Sequence, residues 1–161
     1  MSFTDYFFIF GAKYLFLLSV IIALVWFWKL PNKTKREAFF FGAIALPAIY
    51  IVSRIGAWLY FDPRPFVIGH FIPLVLHVPD NGFPSDHVLL TSAIASIIFP
   101  FNRGTSTAAW IVAVLVGVSR VYVGVHHPID IIGSMVISAI VSTCVYLFLW
   151  QKKIKSKPTK S

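Results

Sequence analysis

The stretch of this sequence with the strongest potential for chemistry joins two long apolar segments. It covers residues 119–130 and reads SRVYVGVHHPID, so an arginine, two histidines and an aspartate fall within twelve residues. Ionisable side chains at membrane depth are costly and usually mark a functional site. The simpler interpretation is a polar turn whose side chains extend from the membrane surface into water. Two further polar clusters, predicted on the same side of the membrane, favour the functional interpretation.

Within this stretch, the spacing predicts an oriented histidine. Pro128 suits the first position of a helix, and Asp130 then falls in the first turn, where the helix dipole favours a carboxylate. From there Asp130 can accept a hydrogen bond from Nδ1 of His126, which would orient the ring and leave Nε2 free as a nucleophile. We expect His127 to point away, toward the membrane surface. Arg120, one turn before the end of the preceding helix, adds a guanidinium.

The two other clusters supply groups that bind anions. Arg64 lies between two prolines, and Arg54 precedes it on the preceding helix. A guanidinium offers several donors in one plane, which suits phosphate oxygens. Ser85 is placed to cap a helix beginning at Asp86, whose free N–H groups and positive end would form an anion site. His87 falls in the first turn of that helix, at the mouth of the same site.

Arginines, a helix N-terminus and two histidines together predict a phosphate-ester site. One histidine can form a phosphohistidine while the other protonates the leaving oxygen and then activates water. The carboxylates lack the arrangement expected for magnesium or zinc, and arginines would compete with a cation. We therefore expect metal-independent chemistry that needs no cofactor.

Composition places this chemistry in a membrane protein. The 161 residues are 58% hydrophobic and only 12% charged, with a mean hydropathy of +0.80, and they have room for a single domain over residues 1–161. A net charge of +8 could suggest nucleic acid, but the basic residues concentrate in a loop at 29–36 and a tail at 151–161. That distribution is typical of the cytoplasmic side of a membrane protein and of attraction to anionic lipids. We expect no nucleic-acid partner.

Apolar segments predict an all-α integral membrane bundle of about five transmembrane helices. Five proline residues interrupt the part between residues 61 and 84, so it cannot form one helix. Its apolar portion, residues 66–78, is too short to cross and is predicted to be interfacial or re-entrant. The predicted membrane segments are residues 7–28, 38–60, 86–101, 107–122 and 128–150.

The distribution of charge also predicts an orientation in the plasma (inner) membrane. If loop 29–36 and the basic tail 151–161 are cytoplasmic, five crossings place the N-terminus outside. Ten of the 14 lysines and arginines then lie inside, and all five histidines lie at the outer, periplasmic face. One charge rule thus brings all three polar clusters to one side of the membrane.

These residues resemble the type-2 phosphatidic acid phosphatase superfamily, which also includes the vanadium haloperoxidases. Its three motifs read Lys-x6-Arg-Pro, Pro-Ser-Gly-His and Ser-Arg-x5-His-x3-Asp, and here they fall within residues 54–130. The first is represented by Arg64-Pro65, the second by Pro84-Ser85-Asp86-His87, and the third in full by Ser119, Arg120, His126 and Asp130.

The resemblance implies a role for each matching residue. His126 would be the nucleophile, Asp130 the residue that orients it, and His87 the general acid. The phosphate would be held by Arg64, Arg120 and Ser85, with Ser119 in an auxiliary place.

Two departures from the motifs point to one branch of the superfamily. Ala57 stands where the family has lysine, and we expect Arg54, three residues earlier on about the same helix face, to replace it. Asp86 replaces the usual glycine, and this variation resembles the bacitracin-resistance type undecaprenyl-diphosphate phosphatases. Asp86 would then turn outward or help with proton handling around a diphosphate.

The sequence therefore predicts a membrane lipid phosphatase that hydrolyses the terminal phosphate of a polyprenyl diphosphate at the outer face. One alternative keeps the chemistry but changes the lipid to phosphatidylglycerophosphate or phosphatidate. Another alternative is a small transporter or lipid-binding protein whose arginines hold an anion without cleaving it. Oligomeric state is left open by the sequence.

Overall fold

Seven helices make up most of the part of the chain described by the computed structural model, which covers the backbone of residues 1–155 and the side chains of residues 1–149. Within this part the only β-type pairing is an isolated bridge between Pro63 and Asn81. The predicted all-helical membrane bundle is confirmed. The helices are α1 (Phe3–Tyr14), α2 (Phe16–Lys29), α3 (Asn32–Leu59), α4 (Pro65–Ile68), α5 (Asp86–Ile98), α6 (Arg103–Tyr122) and α7 (Pro128–Lys155).

Length and apolar composition support three or four membrane crossings. Helices α3, α6 and α7 are each long and apolar enough to span, and α1 with α2 makes a fourth span if the bent pair crosses as one. Helix α5 has 13 residues, so it rises about 20 Å, less than the roughly 30 Å of hydrocarbon. The apolar portion at 66–78 does not span: it holds the four-residue α4 and then irregular chain.

The first predicted segment, residues 7–28, is broken at Leu15, where α1 and α2 meet at a bend of 48°. The two halves pack on different partners. Ala12 of α1 joins a core cluster with Val123, in the connection after α6, while Ile22 of α2 packs in the cluster formed by α5, α6 and α7. Because these partners lie in different directions, one straight helix could not contact both.

Three helices extend beyond their predicted ends. Helix α3 begins at Asn32 and turns most of the predicted basic loop into helix, α6 begins at Arg103, and α7 continues to Lys155. The earlier start of α6 has a local cause: the side chain of Asn102 accepts a hydrogen bond from the Thr105 N–H at 2.9 Å and caps the helix. Five residues of the predicted tail are thus helical, and residues 156–161 lie outside the described part.

Small polar side chains hold α5 at the centre of the bundle. The hydroxyl of Ser92 on α5 donates to Val88 O at 2.6 Å and lies 2.9 Å from the hydroxyl of Ser138 on α7. Ser134, also on α7, donates to the carbonyl of Ser85 at 3.1 Å. Small residues let helix backbones approach closely within a membrane. This packing fixes the N-terminal end of α5, where Ser85 and His87 lie.

Glycines on two long helices accommodate the ring of Phe83, which leads the chain into α5. A Cβ atom at Gly56 of α3 would lie 3.4 Å from this ring, and one at Gly133 of α7 would overlap it. The ring of Phe83 therefore fits against α7 only at a position that has no side chain. Both helices thus help to place the residues that follow Phe83.

We expect Gly133→Ala to destabilise the protein, because the added methyl group overlaps the Phe83 ring and overpacking costs about 1–3 kcal/mol. The matched control is Gly104→Ala in the first turn of α6, where a Cβ would meet only Asn102 Oδ1 at an ordinary 3.6 Å. Thermal unfolding in detergent should show a lower midpoint for Gly133→Ala alone. Equal midpoints for the two variants would contradict this packing.

Candidate active site

One asparagine fixes the loop that brings the first polar cluster to the site. The side-chain NH2 of Asn81 donates to Ala57 O at 2.9 Å and to Tyr60 O at 3.1 Å. Its side-chain oxygen accepts from the backbone N–H groups of Asp62 at 2.9 Å and Phe83 at 3.0 Å. Four bonds from a single side chain thus tie the loop back onto the end of α3. Asn81 belongs to none of the three sequence motifs.

Arg64 is buried and its guanidinium is held from several sides. Its Nε donates to Asp80 at 2.7 Å, and its Nη1 donates to Val125 O at 2.8 Å. Partial burial would raise the pKa of Asp80, but the hydrogen bond and charge of Arg64 outweigh burial and lower that pKa below its ordinary value. Asp80 therefore stays ionised and orients Arg64, although it belongs to none of the three sequence motifs.

Two guanidinium groups converge on one ring nitrogen of His126. Arg64 Nη1 and Arg120 Nη2 each lie 3.3 Å from His126 Nε2. A guanidinium can only donate hydrogen bonds, so Nε2 must accept and the ring proton must be on Nδ1. Nδ1 lies 3.1 Å from Asp130 Oδ2, to which it donates. The bond between His126 and Asp130 that the sequence predicted is therefore present, and its partners assign the tautomer.

Burial and positive charge keep His126 neutral. The residue is only 2% exposed, and burial, followed by the charges of Arg120 and Arg64, lowers the pKa of His126 to about 3. At neutral pH its imidazole therefore carries no positive charge. A nucleophilic nitrogen requires an unprotonated lone pair, which Nε2 has here.

The N-terminus of α5 lies beside the pair formed by His126 and Asp130. Ser85 occupies the cap position, as predicted, but its hydroxyl makes no capping hydrogen bond; the expected side-chain cap is wrong. The backbone of Ser85 instead joins α7, with its N–H 3.5 Å from Asp130 O. Ser85 Oγ and Arg120 Nε are both buried without hydrogen-bond partners. These donors, with the free N–H groups of α5, suit the oxygens of an anion.

Two further histidines lie near His126. His87, in the first turn of α5, is half-buried and its ring meets Phe16 of α2 edge-on, with ring centroids 5.0 Å apart. The ring of His77 has its centroid 6.3 Å from that of His126. Burial and then the charge of Arg64 lower the pKa of His77. His77 belongs to none of the sequence motifs, and only the folded loop brings it to the site.

Three residues that the sequence predicted at the site contact groups other than His126; they are Arg54, Asp86 and Ser119. Arg54 pairs with Asp86 at 3.5 Å, and both side chains are substantially exposed. Asp86 thus turns outward, and Arg54 offsets the negative charge that replaces the family glycine. The guanidinium of Arg54 also stacks on Tyr50, 5.6 Å from its ring centroid. Ser119 is buried, and its hydroxyl donates to Leu115 O at 2.7 Å. These contacts give Ser119 a structural place in α6.

His127, which we expected at the membrane surface, contacts two carboxyl groups. Its Nδ1 lies 2.9 Å from Asp62 Oδ2, and its backbone N–H donates to Asp130 Oδ2 at 2.9 Å. Within the described residues, Asp62, His127 and Asp130 form the one group whose ligand atoms, all within 4.8 Å of one another, could hold a metal ion. Asp130 Oδ2 already accepts two N–H hydrogen bonds, which favours a hydrogen-bonded chain at this place.

An apolar cavity of about 490 Å³ opens beside the site and reaches His126 and His127. A larger cavity of about 720 Å³ lies at the other end of the bundle, where Arg36 and Phe101 line it. The smaller cavity therefore provides an apolar surface next to the polar groups. Its apolar walls are formed by Pro65, Phe71, Ile72, Leu74, Val121 and Val123.

Comparisons with known proteins identify a family, related sequences and a similar fold. The family model of the PAP2 superfamily matches residues 37–154. The chain is 31% identical over 147 residues to the undecaprenyl-diphosphatase BcrC of Bacillus subtilis (strain 168), a match that covers 91% of this chain and 76% of that protein. It is 32% identical over 146 residues to the putative undecaprenyl-diphosphatase YbjG of Escherichia coli (strain K12), covering 89% and 72% respectively. Its fold resembles the crystal structure of Aquifex aeolicus LpxE, with a TM-score of 0.72 and 19% identity over 91% of this chain and 87% of that chain.

Proposed function

This chain belongs to the PAP2 superfamily, and from that membership we propose that it is a membrane lipid phosphatase that removes the terminal phosphate of undecaprenyl diphosphate. The observation that carries the proposal is the position of His126, whose Nε2 lies between two guanidinium groups while Nδ1 is bonded to Asp130. A neutral nucleophile among phosphate-binding donors is the arrangement that phosphoryl transfer to a histidine needs.

In the first step, His126 Nε2 attacks the terminal phosphorus. The bond between Nε2 and phosphorus forms while the bond from phosphorus to the bridging oxygen breaks. Arg64 and Arg120 turn their donors from Nε2 to the phosphate oxygens, where negative charge develops in the transition state. The ring gains positive charge as it becomes phosphorylated, and the carboxylate of Asp130 stabilises that charge.

His87 handles the protons of both steps. From the first turn of α5, the imidazolium form of His87 protonates the departing bridging oxygen, and polyprenyl monophosphate leaves. The same imidazole then takes a proton from a water molecule that attacks phosphorus. This second step breaks the bond to Nε2, releases inorganic phosphate and restores His126. The hydroxyl of Ser85 and the N–H groups of α5 hold the phosphate throughout.

The assignment of the lipid rests on relatives named undecaprenyl-diphosphatases and on the apolar cavity beside His126. An apolar wall next to a cluster of guanidinium groups suits a hydrocarbon chain that ends in phosphate. Arg54 lies on a separate groove with Asp86, and its direct contact with phosphate remains a prediction.

We also propose that no metal ion takes part. Arg64 and Arg120 already supply two positive charges at Nε2, which is the role that a divalent cation has in many phosphatases. A cation close to these guanidinium groups would be repelled by both.

The site is proposed to face the outside of the plasma membrane, with the C-terminus in the cytoplasm. The polar clusters meet at the end of the bundle formed by the C-terminal ends of α3 and α6. Lys33 and Arg36 lie at the N-terminal end of α3, beside the larger cavity. Basic residues are retained on the cytoplasmic side of a membrane, so the opposite end is the outer one.

Purified protein should release phosphate from undecaprenyl diphosphate faster than from phosphatidylglycerophosphate or phosphatidate, because its relatives and cavity favour a polyprenyl chain. Phosphate release from these three lipids, measured in detergent with and without EDTA, tests both the substrate and the metal-free chemistry. A preference for either glycerolipid would overturn the substrate assignment. Loss of turnover in EDTA that added Mg²⁺ restores would overturn the metal-free mechanism.

Substitutions at the nucleophile and its partner should separate catalysis from binding. His126→Ala should abolish turnover while inorganic phosphate still raises the melting temperature, because Arg64 and Arg120 remain. Asp130→Asn should lower kcat by about 10⁴, by analogy with a catalytic triad that loses its orienting carboxylate. The matched control is His70→Ala, at an exposed histidine outside the site, which should keep full turnover.

A non-catalytic anion-binding protein would behave differently in that experiment. Its His126→Ala variant would keep the wild-type function, and that result would overturn the enzymatic assignment. Near-wild-type turnover in Asp130→Asn would remove the orienting role alone.

Labelling with a membrane-impermeant maleimide tests the orientation. In a Cys144→Ser background, His70→Cys at the site end should react in intact cells because it faces outward. Lys33→Cys at the basic end should react only after permeabilisation. The reverse pattern would place the site in the cytoplasm and contradict the proposed orientation.

A further inference from the structure

One oxygen of the Asp130 carboxylate has no partner in the proposed reaction. The residue is fully buried. Its Oδ2 accepts from His126 Nδ1 and from the His127 N–H, whereas Oδ1 is buried without a hydrogen-bond partner. A buried carboxylate oxygen that accepts no hydrogen bond is costly. A donor close to Oδ1 is therefore expected.

A second carboxyl group lies next to Asp130. The side chain of Asp62 is only 13% exposed, and its Oδ2 lies 2.9 Å from His127 Nδ1. An Asp62 oxygen and an Asp130 oxygen lie within 4.8 Å of each other. The backbone of Asp62 is fixed as well, since its N–H donates to Asn81 and its carbonyl accepts from the Gly82 N–H at 2.8 Å. Asp62 therefore faces Asp130 from a rigid position.

Gly82 packs closely against both residues. A Cβ atom at this glycine would lie 2.9 Å from Asp130 Oδ2 and 3.1 Å from the Asp62 carbonyl oxygen. The nearest guanidinium in the same loop, that of Arg64, is directed to Asp80 and Val125. The contacts of Asp62 are thus with His127 and Asp130.

Two carboxyl groups in such a place favour one shared proton. Like charges at short range in a poorly hydrated site cannot both ionise without cost, and such a pair titrates as a unit. Burial raises the pKa of Asp62, the hydrogen bond with His127 lowers it, and the charge of Asp130 raises it again; the net effect is an elevated pKa.

We propose that Asp62 is a positioning residue. Its carboxyl group stays protonated and donates a hydrogen bond to Asp130, while its other oxygen accepts a hydrogen bond from Nδ1 of His127. This inference rests on the proposed function, because its effect on turnover passes through Asp130 and His126. The resulting chain runs from His127 through Asp62 and Asp130 to His126. With three donors, Asp130 remains a weakly basic carboxylate, so the Nδ1 proton stays on His126 and Nε2 keeps its lone pair.

The direction of the pH effect follows from this chain. The titratable groups that face Asp62 are His127, in the connection between α6 and α7, and Asp130, in the first turn of α7. As the pH rises through the pKa of Asp62, the donor is lost and two anions face each other. The pH profile of the wild-type kcat should therefore have an alkaline limb, along which kcat falls as Asp62 loses its proton.

Two substitutions separate the proton of Asp62 from its charge. Asp62→Asn remains neutral and can donate through its NH2 group, so its kcat should stay within about threefold of wild type and the alkaline limb should disappear. Asp62→Ala provides no donor, so its kcat should fall on the order of tenfold while KM changes less than about twofold. Rates with undecaprenyl diphosphate across the pH range measure both. Thermal unfolding of each variant checks that it is folded.

An infrared measurement tests the proton without any substrate. In pH-difference spectra, the wild type should show the carbonyl band of a protonated carboxylic acid, which Asp62→Asn should lack. Asp5→Asn, in the first turn of α1, is the matched control and should retain the band. If no lipid is hydrolysed by the wild type, the proposed function fails, but this band still tests the shared proton.

Four results from the Asp62 variants and the infrared spectra would overturn the inference. These are an unchanged kcat in Asp62→Ala, a loss in Asp62→Asn as large as in Asp62→Ala, an alkaline limb that persists in Asp62→Asn, and an absent acid band. Stoichiometric Zn²⁺ or Mn²⁺ that restores activity after chelation would also overturn it, since a cation would then hold the place of the proton. If Asp62→Ala does not fold, the asparagine variant and the infrared band decide the question.

Discussion

The hydrogen bond between Asp130 and His126 decides which contacts the other nitrogen of the His126 ring can make. Once Nδ1 donates to the carboxylate, Nε2 can only accept, and it lies among groups that can only donate. Arg64 and Arg120 therefore face the lone pair of a neutral ring, and no positive charge on the ring opposes them. The same buried, positively charged surroundings hold the imidazole neutral at physiological pH. The proposed nucleophilicity and the proposed phosphate affinity thus have one physical origin.

The rest of the bundle buries this polar group and pairs the donors of Arg64. Arg64 has donors bonded to Asp80, Val125 and Asn81, because a buried guanidinium with unpaired donors would destabilise the fold. Asn81 in turn bonds to the end of α3. Serines between α5 and α7 let the short central helix lie close to α7, which brings its N-terminus beside Asp130. Close packing and anion binding therefore depend on the same small residues.

A negative charge at Asp86 is compatible with an anion site because of where it points. Its carboxylate turns outward and pairs with Arg54, so it does not oppose the arginines around Nε2. The substitution that separates this chain from the usual glycine motif is therefore offset within the pair. The apolar cavity that reaches His126 and His127 lies on another side, lined by residues of the loop and the end of α6. Polar and apolar parts of a lipid substrate thus have separate surfaces.

Part of the fold follows from the sequence, and part depends on packing. Apolar segments of sufficient length predicted the helices, and the Asn102 cap is a local signal from which the true start of α6 could have been read. The break at Leu15 has no such signal, since it arises because α1 and α2 contact different partners. Likewise the cap position of Ser85 was predictable, whereas the contacts of its backbone with α7 depend on packing.

The same division holds at the site. The sequence alone determined the pairing of His126 with Asp130, because four residues across the start of a helix are brought together by backbone geometry. It also determined the charge at Arg64 and Arg120 through their residue types. Only the tertiary structure decided that Asp80 orients Arg64, 16 residues away, and that Asp62 meets His127, 65 residues away. Such pairs depend on how a loop closes over the bundle, and no spacing in the chain encodes a contact that only the folded loop creates.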